Sequence, residues 1–204
     1  LVAGDTCEFR KKFRSDFLES FFKQWRYVIE VPGNHDLYSY SFPENLFGKF
    51  KETNLDSTGN CQHIYCNNET VVFNDIAIIC STLWSNVRPQ NELVVRQSMN
   101  DYECIRNFSV NTNNCLHQLD LKFINEALEK NKDKKCIVLT YHLPHWSLIA
   151  NKFSGLPMND ANASDLSRTF ENYSENLKYW IYGHSHEFLE KKINETICIR
   201  NPVG

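Results

Sequence analysis

The chain has 204 residues, 42% hydrophobic and 23% charged, which suits one well-buried domain and is too short for two. Its 25 acidic and 22 basic side chains leave a net charge of −3, with no basic stripe of the kind that tracks a nucleic-acid backbone. No run reaches the roughly 18 apolar residues of a membrane span, and no signal-peptide pattern opens the sequence, although Leu1 reads as an internal residue rather than a natural start.

Residues 1–3 read as the end of a strand. Phe13, Phe17, Leu18, Phe21, Phe22 and Trp25 recur at helical spacing and predict an amphipathic helix over about residues 10–25. The apolar run 27–31 is the next strand, stopped by Pro32-Gly33, so the opening forms a parallel βαβ unit. A short helix is expected over 45–52. Asn74-Asp75 separates two apolar runs, 71–73 and 76–80, as a two-residue hairpin turn. Residues 85–115 are polar and irregular, with room for one helix, and read as a long surface excursion of the kind that shapes pockets. Leu116, Leu119, Phe123, Ile124, Ala127 and Leu128 mark a second amphipathic helix, ended by a solvated charge run over 130–135. A buried strand follows at 136–141. Leu166, Phe170, Tyr173 and Leu177 mark a third helix leading to a strand at 179–182, and a closing hairpin turns at Asn194-Glu195. No linker, repeat or low-complexity tract interrupts the sequence, so residues 1–204 are expected to form a single domain.

Of the eight cysteines, Cys80, Cys136 and Cys198 lie in strand-like apolar runs where a thiol behaves as a small core group. Most are expected to be reduced and structural, and the loop pair Cys61 and Cys66 is the best candidate for oxidation. Asn-x-Ser/Thr triplets at Asn68, Asn107, Asn162, Asn172 and Asn194 are what a chain rich in Asn, Ser and Thr produces by composition. His63 and His117 stand apart from every motif and are expected at the surface.

Chemistry concentrates where strands end. Gly4-Asp5, Gly33-Asn34-His35-Asp36, His142-Leu143-Pro144 and Gly183-His184-Ser185-His186 each follow an apolar strand-like run. Strand ends carrying Asp, Asn and His are where open α/β sheets place their sites. His184 and His186 alternate along the backbone, so both reach one site only if the loop curves there.

These four strings, in this order, resemble the calcineurin-like metallophosphoesterase superfamily over essentially the whole chain. Ser81-Thr82-Leu83-Trp84-Ser85 and the closing residues 201–204 further resemble a small bacterial-type branch. The resemblance implies an α/β fold, a four-layer αββα sandwich of two mixed β-sheets flanked by helices. It implies hydrolysis of phosphate esters by a hydroxide that bridges two divalent metal ions (Mn, Fe, Zn or similar) and attacks phosphorus in line. By the same resemblance Asp5 bridges the metals, and Asn34, His142 and His184 complete one metal's shell. His186 serves the other, together with an Asp-x-His motif that precedes Gly-Asp in the family and has no counterpart in this sequence. His35 faces the phosphate as general acid or as a cationic stabiliser, and Asp36 orients it. Substrate-binding residues do not follow from the motifs. Trp84, Arg88 and Trp146 are candidate pocket walls, with Arg88 a possible bidentate phosphate partner or a plain surface residue, and His145 stands between lining and packing.

The expected partner is a small phosphate-ester substrate, with neither nucleic acid nor membrane, and the expected location is cytoplasmic. The alternative takes the missing motif at face value: a mononuclear or non-catalytic binding and scaffold protein on the same fold. A nuclease of the same superfamily lacks support from the charge.

Overall fold

The computed structural model describes residues 1–5, 24–41 and 62–202. The helix expected over 10–25, the short helix over 45–52 and the Cys61 partner of Cys66 lie outside the described residues. Strands β1 (Val2–Ala3), β2 (Tyr27–Val31) and β3 (Gln62–Tyr65) form a parallel three-stranded sheet in that order. A six-stranded mixed sheet contains β4 (Glu69–Phe73), β5 (Ile76–Ser81), β6 (Lys135–Thr140), β7 (Leu177–Ile181), β8 (Leu189–Ile193) and β9 (Thr196–Arg200). Its order is β4-β5-β6-β7-β9-β8. The α/β fold with two sheets and flanking helices is therefore as the resemblance implied.

Period-2 alternation explains how the layers assemble. Along β5, Ile78 and Cys80 point to the three-stranded sheet and pack with Ile29, Val31 and Cys66, while Ala77 and Ile79 point to the helical side. On β6, Leu139 joins the inter-sheet layer, and Cys136 and Val138 join Ile124, Ala127, Leu128, Phe170 and Trp180 under the helices. Strands buried on both faces read as unbroken apolar runs, which is why the sequence exposed β5 and β6 so clearly. Both hairpins form at the expected dipeptides, with Asn74 and Asn194 at positive φ (53° and 49°).

The excursion after β5 is more ordered than its composition suggested. It holds two short helices, α1 (Glu92–Ser98) and α2 (Asp101–Cys104), and it supplies the first turns of α3 (Val110–Lys130). Helix α3 starts at Val110 because the Ser109 hydroxyl accepts the Thr112 N–H, well before the first apolar position expected at Leu116. The early turns carry a polar stripe instead of an apolar one. Asn113 donates to Ser85 O at 2.7 Å, His117 Nδ1 bonds Trp84 O, Asp120 accepts the Trp84 N–H at 3.1 Å, and Asn114 pairs with both the N–H and C=O of Val87. A buried loop must satisfy its backbone groups somewhere, and this stripe satisfies the segment after β5.

That arrangement corrects two expectations. His117 is 3% exposed, because the earlier helix start turns it inward with Asn113, Asp120 and Ile124. His63 is only partly exposed and bonds the buried Glu30 carboxylate at 2.7 Å, because the register Val28↔His63 puts both side chains on one face. The third helix is also shorter than expected. Helix α4 (Ser167–Asn172) stops before Leu177, which opens β7 opposite Cys136.

Burial raises the Asp120 carboxyl to about 6, against hydrogen bonds from Asn68 and the Trp84 backbone that favour the anion. With the folded pKa above the unfolded one, this group's stabilisation is complete below about pH 4 and is lost as pH rises through about 6. Two pKa units correspond to up to about 3 kcal/mol. The stability of wild type minus that of Asp120→Asn, measured by urea unfolding, should fall by up to this amount between pH 4 and pH 7; a gap independent of pH would contradict the assignment.

Candidate active site

The loops after β1, β2, β6 and β7 meet at one end of the two sheets, and glycines let them touch. A Cβ on Gly4 (φ +73°) would lie 2.4 Å from the Tyr141 ring and 2.6 Å from Gly33 N, and one on Gly183 would lie 2.2 Å from Ala3 O. Polar groups lock this approach. Asp36 Oδ2 accepts the Gly33 N–H at 2.8 Å and the Asp5 N–H at 3.0 Å, fastening the loop that carries His35 to the loop that carries Asp5. Asp5 in turn accepts the His35 N–H at 3.0 Å and the Tyr141 hydroxyl.

His142 follows Tyr141 and is 1% exposed, held by its own N–H to Thr82 O at 3.2 Å and by the Thr140 hydroxyl donating to His142 O. Trp84 and His184 lie beside its ring, at centroid separations of 5.3 and 4.7 Å. His184 sits at φ +63°, the curvature needed to bring it in. Its Nδ1 meets the Tyr141 hydroxyl at 2.9 Å and its Nε2 meets Asn162 Oδ1 at 2.5 Å. Burial, reinforced by neighbouring imidazoles, lowers His184 to about 3 and His142 well below the usual histidine range. Both are therefore neutral around pH 7 and keep a basic lone pair, as metal coordination requires. His35 and His186 are exposed, and the His35 ring stacks on Tyr38 at 4.4 Å.

Asn34 is 1% exposed. Its amide nitrogen donates to Asp101 Oδ1 at 2.6 Å, an oxygen that also accepts the Tyr38 hydroxyl at 2.8 Å. This fixes which way the amide faces and leaves Asn34 Oδ1 buried without a partner. His142 Nδ1 is in the same condition. Orphaned buried acceptors are costly, and two of them on residues with metal-ligand chemistry fit a divalent cation. Asp5, Asn34 and His142 are the side chains that would hold one, and His184 would join by exchanging one of its present hydrogen bonds. Among the described residues no three His, Cys, Asp or Glu side chains stand together as a ready cage.

Other candidates lie elsewhere. Arg88 is held by Asp160, through Nε at 2.9 and 3.1 Å and Nη2 at 2.7 Å, and its guanidinium lies 5.5 Å from the Trp146 ring. Its bidentate partner is thus a carboxylate of this chain, and with Trp146 it walls a cleft of about 490 Å³. Trp84 is buried against Phe108 and His142 rather than lining an opening. His145 packs: its ring bonds Ser147 and Ser167 and meets Phe170 edge-on. Sequence reasoning missed Asp101, Tyr141 and Asn162. Tyr141 stood next to a candidate ligand and was the one accessible signal; Asp101 and Asn162 lie in polar stretches with nothing to set them apart.

The sheets, the converging loops and the donor set define a metallophosphoesterase fold. Residues 1–188 match the family model for calcineurin-like phosphoesterases, and the chain belongs to that family. An uncharacterised mimivirus protein from Acanthamoeba polyphaga mimivirus is 30% identical over 198 residues, covering 87% of this chain and 68% of its own. The crystal structure of phosphopantetheinyl hydrolase from Mycobacterium tuberculosis superposes with a TM-score of 0.66 at 13% identity, over 98% of this chain and 77% of that one, a likeness of fold.

If Asn34 Oδ1 holds a divalent cation, Asp101→Ala should weaken its binding, probed with manganese by titration calorimetry, about 10–100-fold, because the Asn34 amide loses the bond that orients it. Asp101→Asn, which keeps an acceptor oxygen, should restore most of the affinity. Unchanged binding in the Ala variant would remove Asp101 from the site.

Proposed function

We propose that this protein is a metal-dependent hydrolase of small phosphate esters, using up to two divalent cations. The observation that carries the reading is the pair of partnerless buried acceptors, Asn34 Oδ1 and His142 Nδ1, in the loop cluster that holds Asp5 in a calcineurin-like phosphoesterase. Cations bound there would act as Lewis acids, activating water and neutralising charge on the phosphoryl oxygens. N/O ligands discriminate weakly among manganese, iron and zinc, so availability would choose the metal.

The side chains then divide the work. Asp5, with the neutral side chains Asn34, His142 and His184, would hold one cation, and Asp5 and His186 would offer ligands to a second. Neutral ligands matter because added carboxylates would repel the phosphate and weaken the cations as Lewis acids. His35, exposed beside Asp5 and stacked on Tyr38, gives a proton to the departing alkoxide or stabilises its charge. Asp36 keeps His35 in place by holding the Gly33 and Asp5 backbones. The working partner is a small phosphate ester.

Combining Asp5→Asn with His142→Ala should abolish metal-stimulated phosphatase activity and metal binding together; retained activity would refute the site. In His35→Asn, kcat should drop about 10²–10⁴-fold with KM little changed. A pH–rate profile with the wild-type shape in that variant would exclude the acid role and leave the electrostatic one.

A further inference from the structure

Beside His184 and His186 opens a cleft of about 520 Å³, within the range of about 300–1,000 Å³ typical of small-molecule sites. Asn162, His184, Ser185 and His186 give it a polar lining, and Leu143, Ile149, Phe153, Leu156 and Met158 an apolar one. Phe153 and Leu156 are 47% and 42% exposed, large apolar side chains left uncovered by the fold. Phe153 ends one 3₁₀ turn, Asn151–Phe153, and Leu156 directly precedes another, Pro157–Ala161; Asn159 braces the two by donating to Phe153 O at 2.6 Å. Lys152 also lines the cleft, but its ammonium is paired with Glu187 and lies over the Phe153 ring.

We propose that this cleft receives the apolar organic group of the phosphate ester, an aromatic or branched hydrocarbon, and so selects hydrophobic monoesters over sugar and polyol phosphates. The assignment rests on the hydrolase reading for the position of the phosphate, and on the cleft itself for the rest. A phosphoryl group at His184 and His186 leaves its alcohol portion facing Phe153 and Leu156. Lys152 already holds a carboxylate, Glu187, so the surface presented beside it is the aromatic and aliphatic wall. An apolar group there removes from water both its own surface and that of Phe153 and Leu156, which is the stabilising term.

The test compares naphthylphosphonate with methylphosphonate, neither hydrolysable, by calorimetry on the manganese-loaded protein. Naphthylphosphonate should bind about tenfold or more tightly. The double variant Phe153→Ala/Leu156→Ala, at exposed positions outside the core, should lose that advantage and keep its affinity for methylphosphonate. In turnover, the double variant should raise KM for naphthyl phosphate and leave kcat/KM for glycerol phosphate unchanged. Equal binding of the two phosphonates, or an advantage that survives the double variant, overturns the proposal. A dimer in sedimentation that dissociates in the double variant also overturns it, by giving the face to a second copy of the chain. If neither ester is hydrolysed while naphthylphosphonate still binds through Phe153 and Leu156, the hydrolase reading fails and the cleft assignment stands.

Discussion

Everything at the candidate site depends on how closely three backbone segments crowd the Tyr141 ring. Gly4 and Gly33 leave no room for a side chain against it, and a Cβ on Gly183 would collide with Ala3 O while lying 3.3 Å from the ring. The crowding lets one tyrosine hydroxyl meet both Asp5 and His184, and lets one carboxylate, Asp36, bond the backbones of two loops. Substituting any of these glycines would push apart loops that carry every candidate ligand. The constraint is steric before it is electrostatic.

A second tier of polar contacts decides which atoms face inward. Asp101, reaching Asn34 from the excursion after β5, determines that the amide oxygen and not the nitrogen is the uncommitted group. The excursion is itself anchored, by an aromatic cluster of Tyr38, Tyr40, Trp84 and Phe108 and by backbone bonds from Ser39 and Arg106. Helix α3 completes the support by satisfying the backbone on either side of Trp84, whose ring then lies against His142. A region that looked irregular by composition thus orders two of the candidate ligands. Polar loops often combine variable sequence with exact placement because a rigid scaffold holds their ends.

Electrostatics follow from the same enclosure. Loss of solvent holds His142 and His184 neutral and raises the carboxyls of Asp5 and Asp101. Lone pairs are thereby kept available on nitrogen while negative charge is disfavoured, an environment whose balance a divalent cation would reverse in favour of the carboxylates. Two adjoining clefts that share Ile149, Leu156 and Asn159 differ in character: one is walled by the paired Arg88 and Trp146, and the other, which reaches His184 and His186, by Phe153 and Met158.

The sequence alone determined the strand-end motifs, the two Asn-centred hairpins and the doubly buried strands β5 and β6. These are local signals, since a turn dipeptide or an apolar period acts within a few residues of itself. The tertiary structure decided the rest. It chose Asp101 for Asn34 across 67 positions, Tyr141 for Asp5 across 136 and Asp160 for Arg88 across 72. It also buried His117 by starting α3 at a serine cap, and ended α4 early because Leu177 was needed opposite Cys136. A polar side chain's partner depends on which segments the packed layers bring within about 3 Å, and no local pattern encodes that distance.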